Sequence, residues 1–334
     1  MSWIFIACSF VLGGVGAWFM SHYAYSFGLL DIPNDRSSHN LPTPRGGGIG
    51  VFVAFIISSL WLKLSIVIWL TVALLSVVSF FDDKLGLTPR TRLIFQFTAA
   101  MVVAGASFPT SHSSFFMILP LVLFSIIIVG TANFYNFMDG INGIAGITGA
   151  VAFGLLGSFA LFLIGQNNIA FSSYAVAAAC IGFLPFNVPK ARVFMGDVGS
   201  ILLGFVFAGY VVVLAQTAAD FLVMAGFLST FYADALTTLY IRKRDGERLS
   251  QAHRRHLYQL FANQKQVPHW KVSVCYGIIQ LLIGLSLLVF YTYGWKAVLG
   301  FECVLLAVWC LVMRRVRRTV EGGVGASRTE INQL

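Results

Sequence analysis

Long apolar runs decide what this chain can become. Residues 143–187 contain no charged side chain, and residues 46–81 contain only Lys63. Crossing the hydrocarbon core of a bilayer takes about 20 apolar residues in a helix. Backbone groups in lipid must be satisfied internally, so only helices and closed barrels can span it. Barrel strands read as short alternating segments, whereas these runs are continuous, which points to helices. Composition agrees: 10% of the residues are charged and 58% hydrophobic, against roughly 25% charged in a soluble domain. The expected fold is an all-α polytopic membrane protein forming one multispanning domain over residues 1–334.

About eleven transmembrane helices fit, near 3–21, 46–62, 64–81, 91–108, 115–131, 143–164, 170–187, 199–216, 220–240, 271–291 and 296–313. The opening MSWIFIACSF has no basic n-region or small-residue cleavage site, so it is expected to remain as the first span. Lys and Arg orient such a bundle. One set of connections holds only Lys63 and Lys296, and the rest of the 22 Lys and Arg lie on the other. This places the N-terminus outside and the C-terminus in the cytoplasm. Positive-inside topology also accounts for the net charge of +9, so no nucleic acid is needed. The five cysteines lie in apolar segments without a C-x-x-C pair, which favours inert packing over metal or disulfide chemistry.

The acids gather on the basic face. Asp82 and Asp83 follow a span ending VVSFF, Asp139 and Asp197 lie in the next two cytoplasmic connections, and Asp234 lies in the ninth span. Carboxylates near hydrocarbon are costly and usually face a working cavity. In NFYNFMDGING (133–143), Asn133, Asn136, Asp139 and Asn142 recur at every third position. Steps of three sweep half a circle on a regular helix, so convergence requires a helix end near Asn136 and an irregular turn. Such oxygen donors suit Mg²⁺, which keeps waters and takes substrate phosphate oxygens. VFMGDVGS (193–200) places Asp197 at a helix start, where free N–H groups favour phosphate. LPTPRGGGIG (41–50) sets Arg45 beside three glycines, which serve either an anion or close helix packing. The large cytoplasmic loop 241–270 carries an apolar stripe (Leu249, Leu257, Leu260, Phe261) expected to form an interfacial helix on anionic lipid. Its His253, Arg254, Arg255 and His256 also form a donor cluster suited to a diphosphate. Glu302 falls in the outer half of the last span without an evident partner.

Taken together and in this order, Pro-x-Pro-Arg-Gly-Gly-Gly, Asp82-Asp83, Asn136-Phe-Met-Asp139-Gly-Ile-Asn142-Gly, Phe194-Met-Gly-Asp197-x-Gly-Ser and the His-Arg-Arg-His loop resemble one family over nearly the whole chain. They are similar to the polyprenyl-phosphate N-acetylhexosamine-1-phosphate transferases, glycosyltransferase family 4, with AHRRHLYQ most similar to the O-antigen-initiating branch. The resemblance implies a multi-pass enzyme of the bacterial inner membrane with its active site on the cytoplasmic face. It would transfer an N-acetylhexosamine 1-phosphate, or an N-acetylated 6-deoxyhexose 1-phosphate, from a UDP-sugar to undecaprenyl phosphate, releasing UMP. The implied cofactor is Mg²⁺, with Mn²⁺ as a substitute, held by Asp197 and Asn136. Asp82 would deprotonate or orient the lipid phosphate, and Asp83 would serve the metal or its neighbour, with Lys84 close by. Asp139 and Asn142 match uridine-contacting positions, while Phe194, Arg45, Lys84, His253, Arg255 and His256 complete the substrate-binding set. Membrane lipids are further partners, and a homodimer is compatible with this reading. The alternative is a transporter or flippase of a nucleotide or lipid phosphate. A transporter, however, gathers its polar groups near the bilayer midplane, and here they crowd one face.

Overall fold

The computed structural model describes residues 2–33, 38–107, 117–248 and 254–331, with side chains from Trp3 to Val320. Helices occupy each expected segment. They are α1 (Ser2–Tyr23), α2 (Ile49–Trp61), α3 (Ile66–Leu85), α4 (Pro89–Ala106), α5 (Ile118–Met138), α6 (Ile144–Phe159), α7 (Asn167–Phe183), α8 (Asp197–Leu214), α9 (Ala218–Gly226), α10 (Ser229–Arg244), α11 (Leu257–Gln259), α12 (His269–Tyr291) and α13 (Trp295–Ile331). A short antiparallel pair, β1 (Leu30–Asp31) with β2 (Thr43–Pro44), closes the segment before α2. The protein is an all-α polytopic membrane protein.

Among the described residues, eight helices are long and apolar enough to cross a membrane, or nine if the bent pair α9–α10 forms one span. The expectation of eleven counted two weaker segments. With 13 residues, α2 is about 20 Å long at 1.5 Å per residue, short of the ~30 Å core. The other, α4, opens Pro-Arg-Thr-Arg and carries Gln96, which shortens its apolar part. Its start is nonetheless well defined: Pro89 occupies the first turn and the Thr88 hydroxyl accepts the Thr91 N–H.

At the centre, α8 has a span that is 89% buried, and it packs on α5, α3, α9, α2, α4 and α6. At the edge, α13 has a span only 11% buried. Between α9 and α10 the chain turns through 82°. Ser229 starts α10, and its hydroxyl lies 2.7 Å from Gly226 O and 2.9 Å from Glu302 Oε1. Glu302 thus has its partner at this break, where the N-terminus of α10 favours negative charge.

The large loop differs from the expected interfacial helix. It forms one short helix, α11, followed by a π turn over Leu260–Gln264. Leu257 and Leu260 are buried with Ile241, Met313 and Val316. The apolar stripe therefore faces protein between α10 and α13 instead of lipid, while Leu249 lies outside the described residues.

Helices α1 and α7 meet backbone to backbone. A Cβ at Gly13 would lie 2.0 Å from Ala179 O, and one at Gly182 would lie 1.9 Å from Phe10 O. Lipid gives no hydrophobic drive between helices, so such small-residue contacts carry the association. Gly182→Ala should destabilise the detergent-solubilised protein by about 1–3 kcal/mol, the usual range for overpacking. Gly154→Ala on α6, where nothing lies within 4 Å of the added Cβ, should be nearly neutral. Thermal unfolding of both variants checks this, and equal shifts would contradict it.

Candidate active site

Four helix ends and one loop meet at a single face. Helices α3 and α5 end there, α4 and α8 begin there, and the segment before α2 lies across them. Asp82 and Asp83 occupy the last turn of α3 and point in different directions, as their 100° offset requires.

Asp83 reaches α8. Its Oδ2 accepts the Asp197 N–H at 3.0 Å, and its Oδ1 pairs with Arg45 Nη1 at 3.3 Å. Arg45 also pairs with Asp31 at 3.1 Å. Asp82 faces α4: its Oδ1 accepts the Leu87 N–H at 2.7 Å, and its Oδ2 pairs with Arg92 Nη1 at 3.1 Å. Arg92 extends on to Asp197 Oδ2 at 3.3 Å. From α5, the Asn136 amide donates to Asp197 Oδ1 at 2.8 Å and to Ser200 Oγ at 2.9 Å. The result is one chain of charge, Asp31–Arg45–Asp83–Asp197–Arg92–Asp82. Four carboxylates share two guanidinium groups, leaving a formal excess of two negative charges.

Backbone geometry makes this approach feasible. Gly196 holds φ at +74°, and a Cβ there would lie 2.9 Å from Asp83 Oδ2 and 2.7 Å from Gly46 N. Gly47 and Gly48 donate their N–H groups to Phe194 O and Met195 O, and Phe194 donates its own to Pro44 O. The three-glycine stretch therefore serves close packing, with the Gly47 and Gly48 amides spent on carbonyls. The start of α8, expected to attract a phosphate, already receives Asp83, itself a favourable anion at a helix N-terminus. Phe194 contributes backbone to this seam, and its ring stands edge-on to His39 at 4.8 Å.

Other expected residues lie differently. Asn133 turns away from Asn136, donating to Gln96 Oε1 at 2.6 Å and to Val129 O. Asn142 donates to Pro189 O at 3.2 Å, and its carbonyl accepts Ser273 Oγ, so it secures its own loop. Asp139 caps the end of α5, where burial and the charges of Asp197 and Asp83 push its carboxyl up to about 7. Lys84 is exposed and makes no hydrogen bond or ion pair among the described residues, because two helical steps carry it to the far side from Asp82.

His253 lies outside the described residues. Arg255 and His256 are not brought to the carboxylates. Arg255 is taken by two acids nearer to it, Asp245 at 2.8 Å and Glu247 at 2.5 Å. His256 is buried, with Nδ1 3.2 Å from Asp234 Oδ1. Asp234 also accepts from Leu257 N, Tyr258 N and Tyr276 Oη, so it anchors the loop to α10. From that anchor, Tyr258 Oη donates to Phe137 O, and its ring would be struck by a Cβ at Gly140. The loop thus braces the turn carrying Asp139.

Two participants escaped the sequence reading, Arg92 and Asp31. The sign for Arg92 was there: a cation in the first turn of a helix opposes the dipole, so Arg92 needs an anionic partner. Beside it, Leu75, Ser79, Asp82, Gln96, Asp197 and Ile201 line a cleft of about 10 Å³, room for about one water. A larger ligand must approach from the open face or displace the Arg92 head. Among the described residues, no three His, Cys, Asp or Glu side chains converge as a ready-made metal cage. Mg²⁺, however, needs only one or two carboxylates when it arrives with phosphate, and hard oxygens with excess negative charge fit such an ion.

The profile of glycosyl transferase family 4 matches residues 65–215, the stretch that contains Asp82, Asp83, Arg92, Asn136, Asp139 and Asp197. The undecaprenyl-phosphate alpha-N-acetylglucosaminyl 1-phosphate transferase of Thermotoga maritima is 27% identical, over 88% of this chain and 93% of its own length. The decaprenyl-phosphate N-acetylglucosaminephosphotransferase of Mycolicibacterium smegmatis is 26% identical, over 90% and 85%. The phospho-N-acetylmuramoyl-pentapeptide-transferase of Geobacillus thermodenitrificans is 30% identical, over 73% and 82%. With Asp82, Asp83 and Asp197 inside the matched segment and this extent of likeness on either side of it, the chain belongs to glycosyl transferase family 4.

Proposed function

We propose that the protein transfers an N-acetylhexosamine 1-phosphate, or its N-acetylated 6-deoxy counterpart, from a UDP-sugar to undecaprenyl phosphate. The observation that carries this reading is the arginine-bridged carboxylate chain at one face of the bundle. A water-soluble donor and a membrane-held acceptor can both reach such a place. The two N-acetylglucosamine relatives align over more of this chain than the pentapeptide relative does, which favours a simple N-acetylhexosamine donor. The expected product begins an O-antigen or a related envelope glycan at the cytoplasmic face of a bacterial inner membrane. A transporter reading gains nothing from a cluster built on helix ends at one face.

In the proposed reaction, an oxygen of the lipid phosphate attacks the β-phosphorus of the donor. The bond from that phosphorus to the bridging oxygen breaks, and UMP leaves with the electron pair. Sugar, two phosphates and lipid remain joined. Anions meet here, so catalysis rests on positioning and charge neutralisation. Mg²⁺, or Mn²⁺ in its place, would be held by Asp197 with Asn136 and would offset the donor's diphosphate charge. Asp83 fixes Asp197 by holding the first turn of α8. Arg92, held between Asp82 and Asp197, is the cation of the cluster placed to meet a phosphate. Asp139, at the turn after α5, is assigned to the uridine. Asp82 accepts from the Leu87 N–H and from Arg92, which favours an orienting role through Arg92 over removal of a proton.

Purified protein in detergent, given undecaprenyl phosphate and a panel of UDP-N-acetylhexosamines, should release UMP without sealed vesicles and only with the acceptor present. Failure with every donor, alongside movement of substrate into vesicles, would reverse the assignment. Asp82→Asn addresses the proton. The acceptor phosphate has a second pKa of about 6, so loss of a general base would hurt most at low pH. With Asp82 as an orienting group, the mutant should lose about a hundredfold in kcat at a constant ratio between about pH 5.5 and 8.5. A ratio that recovers as pH rises would make Asp82 the base.

A further inference from the structure

Away from the carboxylate chain, α13 leaves a long crevice against its neighbours. One part, about 940 Å³, lies between α9–α10, α12 and α13, with an almost wholly apolar lining in which Glu302 meets Ser229. A second part, about 700 Å³, lies between α10 and α13 toward their C-terminal ends. Leu236 and Leu306 line both parts, so the apolar wall is continuous.

The far end of this crevice is basic. Arg244, Arg314, Arg317 and Arg318 line it, against the single carboxylate of Asp245. Asp245 is already shared by Arg244 at 3.1 Å and Arg255 at 2.8 Å, and Arg317 donates to Arg255 O. Arg314 and Arg318 are exposed, and neither makes a hydrogen bond or ion pair among the described residues. They stand four residues apart on one helix face, where like charges repel. Leu306 lies eight residues before Arg314, about 12 Å along the helix. That depth falls within one leaflet of a ~30 Å core.

We propose that this crevice binds an anionic glycerophospholipid of the surrounding leaflet. Its phosphate sits against Arg314 and Arg318, and one acyl chain lies past Leu306 and Leu236. Basic pockets between membrane helices recognise such headgroups. A bulk phospholipid is the occupant, in preference to the polyprenyl acceptor, because none of α3, α4, α5 and α8, which carry Asp82, Asp83, Arg92, Asn136 and Asp197, contributes to the lining of the basic part. A phosphate held there meets none of those side chains. The site is separate from the proposed transfer chemistry and stands whether or not that assignment holds.

Native mass spectrometry of the full chain in detergent tests this, with phosphatidylglycerol and phosphatidylcholine of identical acyl chains as probes. The wild type should retain phosphatidylglycerol about tenfold more tightly. Arg314→Gln with Arg318→Gln should abolish that preference while UMP release stays unchanged. Leu306→Trp, which fills the crevice and keeps the arginines, should weaken both lipids. Equal retention of the two lipids by the wild type, or an intact preference in the double variant, would overturn the site. So would displacement of phosphatidylglycerol by one equivalent of undecaprenyl phosphate, or a lipid-free dimer that buries α13.

Discussion

A carboxylate from one membrane helix closes the N-terminus of another: Asp83 Oδ2 accepts the Asp197 N–H at 3.0 Å, where α8 begins. The contact fixes the end of the most buried helix against α3, and it sets the direction in which Asp197 leaves the backbone. Gly196 makes room for it, and Arg45 balances it. From there Arg92 carries the connection to Asp82 and α4, while Asn136 brings in α5. Remove the Asp83 contact and four helix ends lose their common reference. Burying this many acids is costly unless each is paired or hydrogen-bonded, which explains why every oxygen of Asp82, Asp83 and Asp197 has a donor. The remaining excess of negative charge is what a cation-borne phosphate would find.

The loop after α10 shows the same economy at a distance. Asp234, buried in α10, gathers His256, two backbone N–H groups and the Tyr276 hydroxyl. Tyr258 then touches the turn after α5. A basic sequence cluster that invites a reading as phosphate ligands is thus partly a brace. In this account His256 influences the site by anchoring the loop whose Tyr258 holds Asp139's turn in place.

Apolar run length made the helical membrane fold legible, since a continuous run such as residues 143–187 lacks the alternation of a barrel strand. The grouping of Asp82, Asp83, Asn136 and Asp197 was legible too, because each stands at a span end on the same side. Three things were not. Helix count turned on short segments such as α2, whose 13 residues are fewer than a full span needs. Side-chain direction at Asn142, Arg255 and His256 depended on nearer partners, namely Pro189 O, Asp245 with Glu247, and Asp234, which the spacing of motifs does not reveal. The phosphate expected at the start of α8 depended on free N–H groups, and a carboxylate 114 residues earlier takes one of them.

The central claim is that the arginine-bridged carboxylates act as one unit in the reaction. A double-mutant cycle on Arg92→Gln and Asp197→Asn, read as kcat/KM for UMP release, tests it directly. Residues acting as a unit give grossly non-additive losses. The double variant should therefore be no worse than the more damaged single variant. Losses that multiply across the two changes would mean that Arg92 and Asp197 serve the reaction independently, and the account of a shared charge chain would fail.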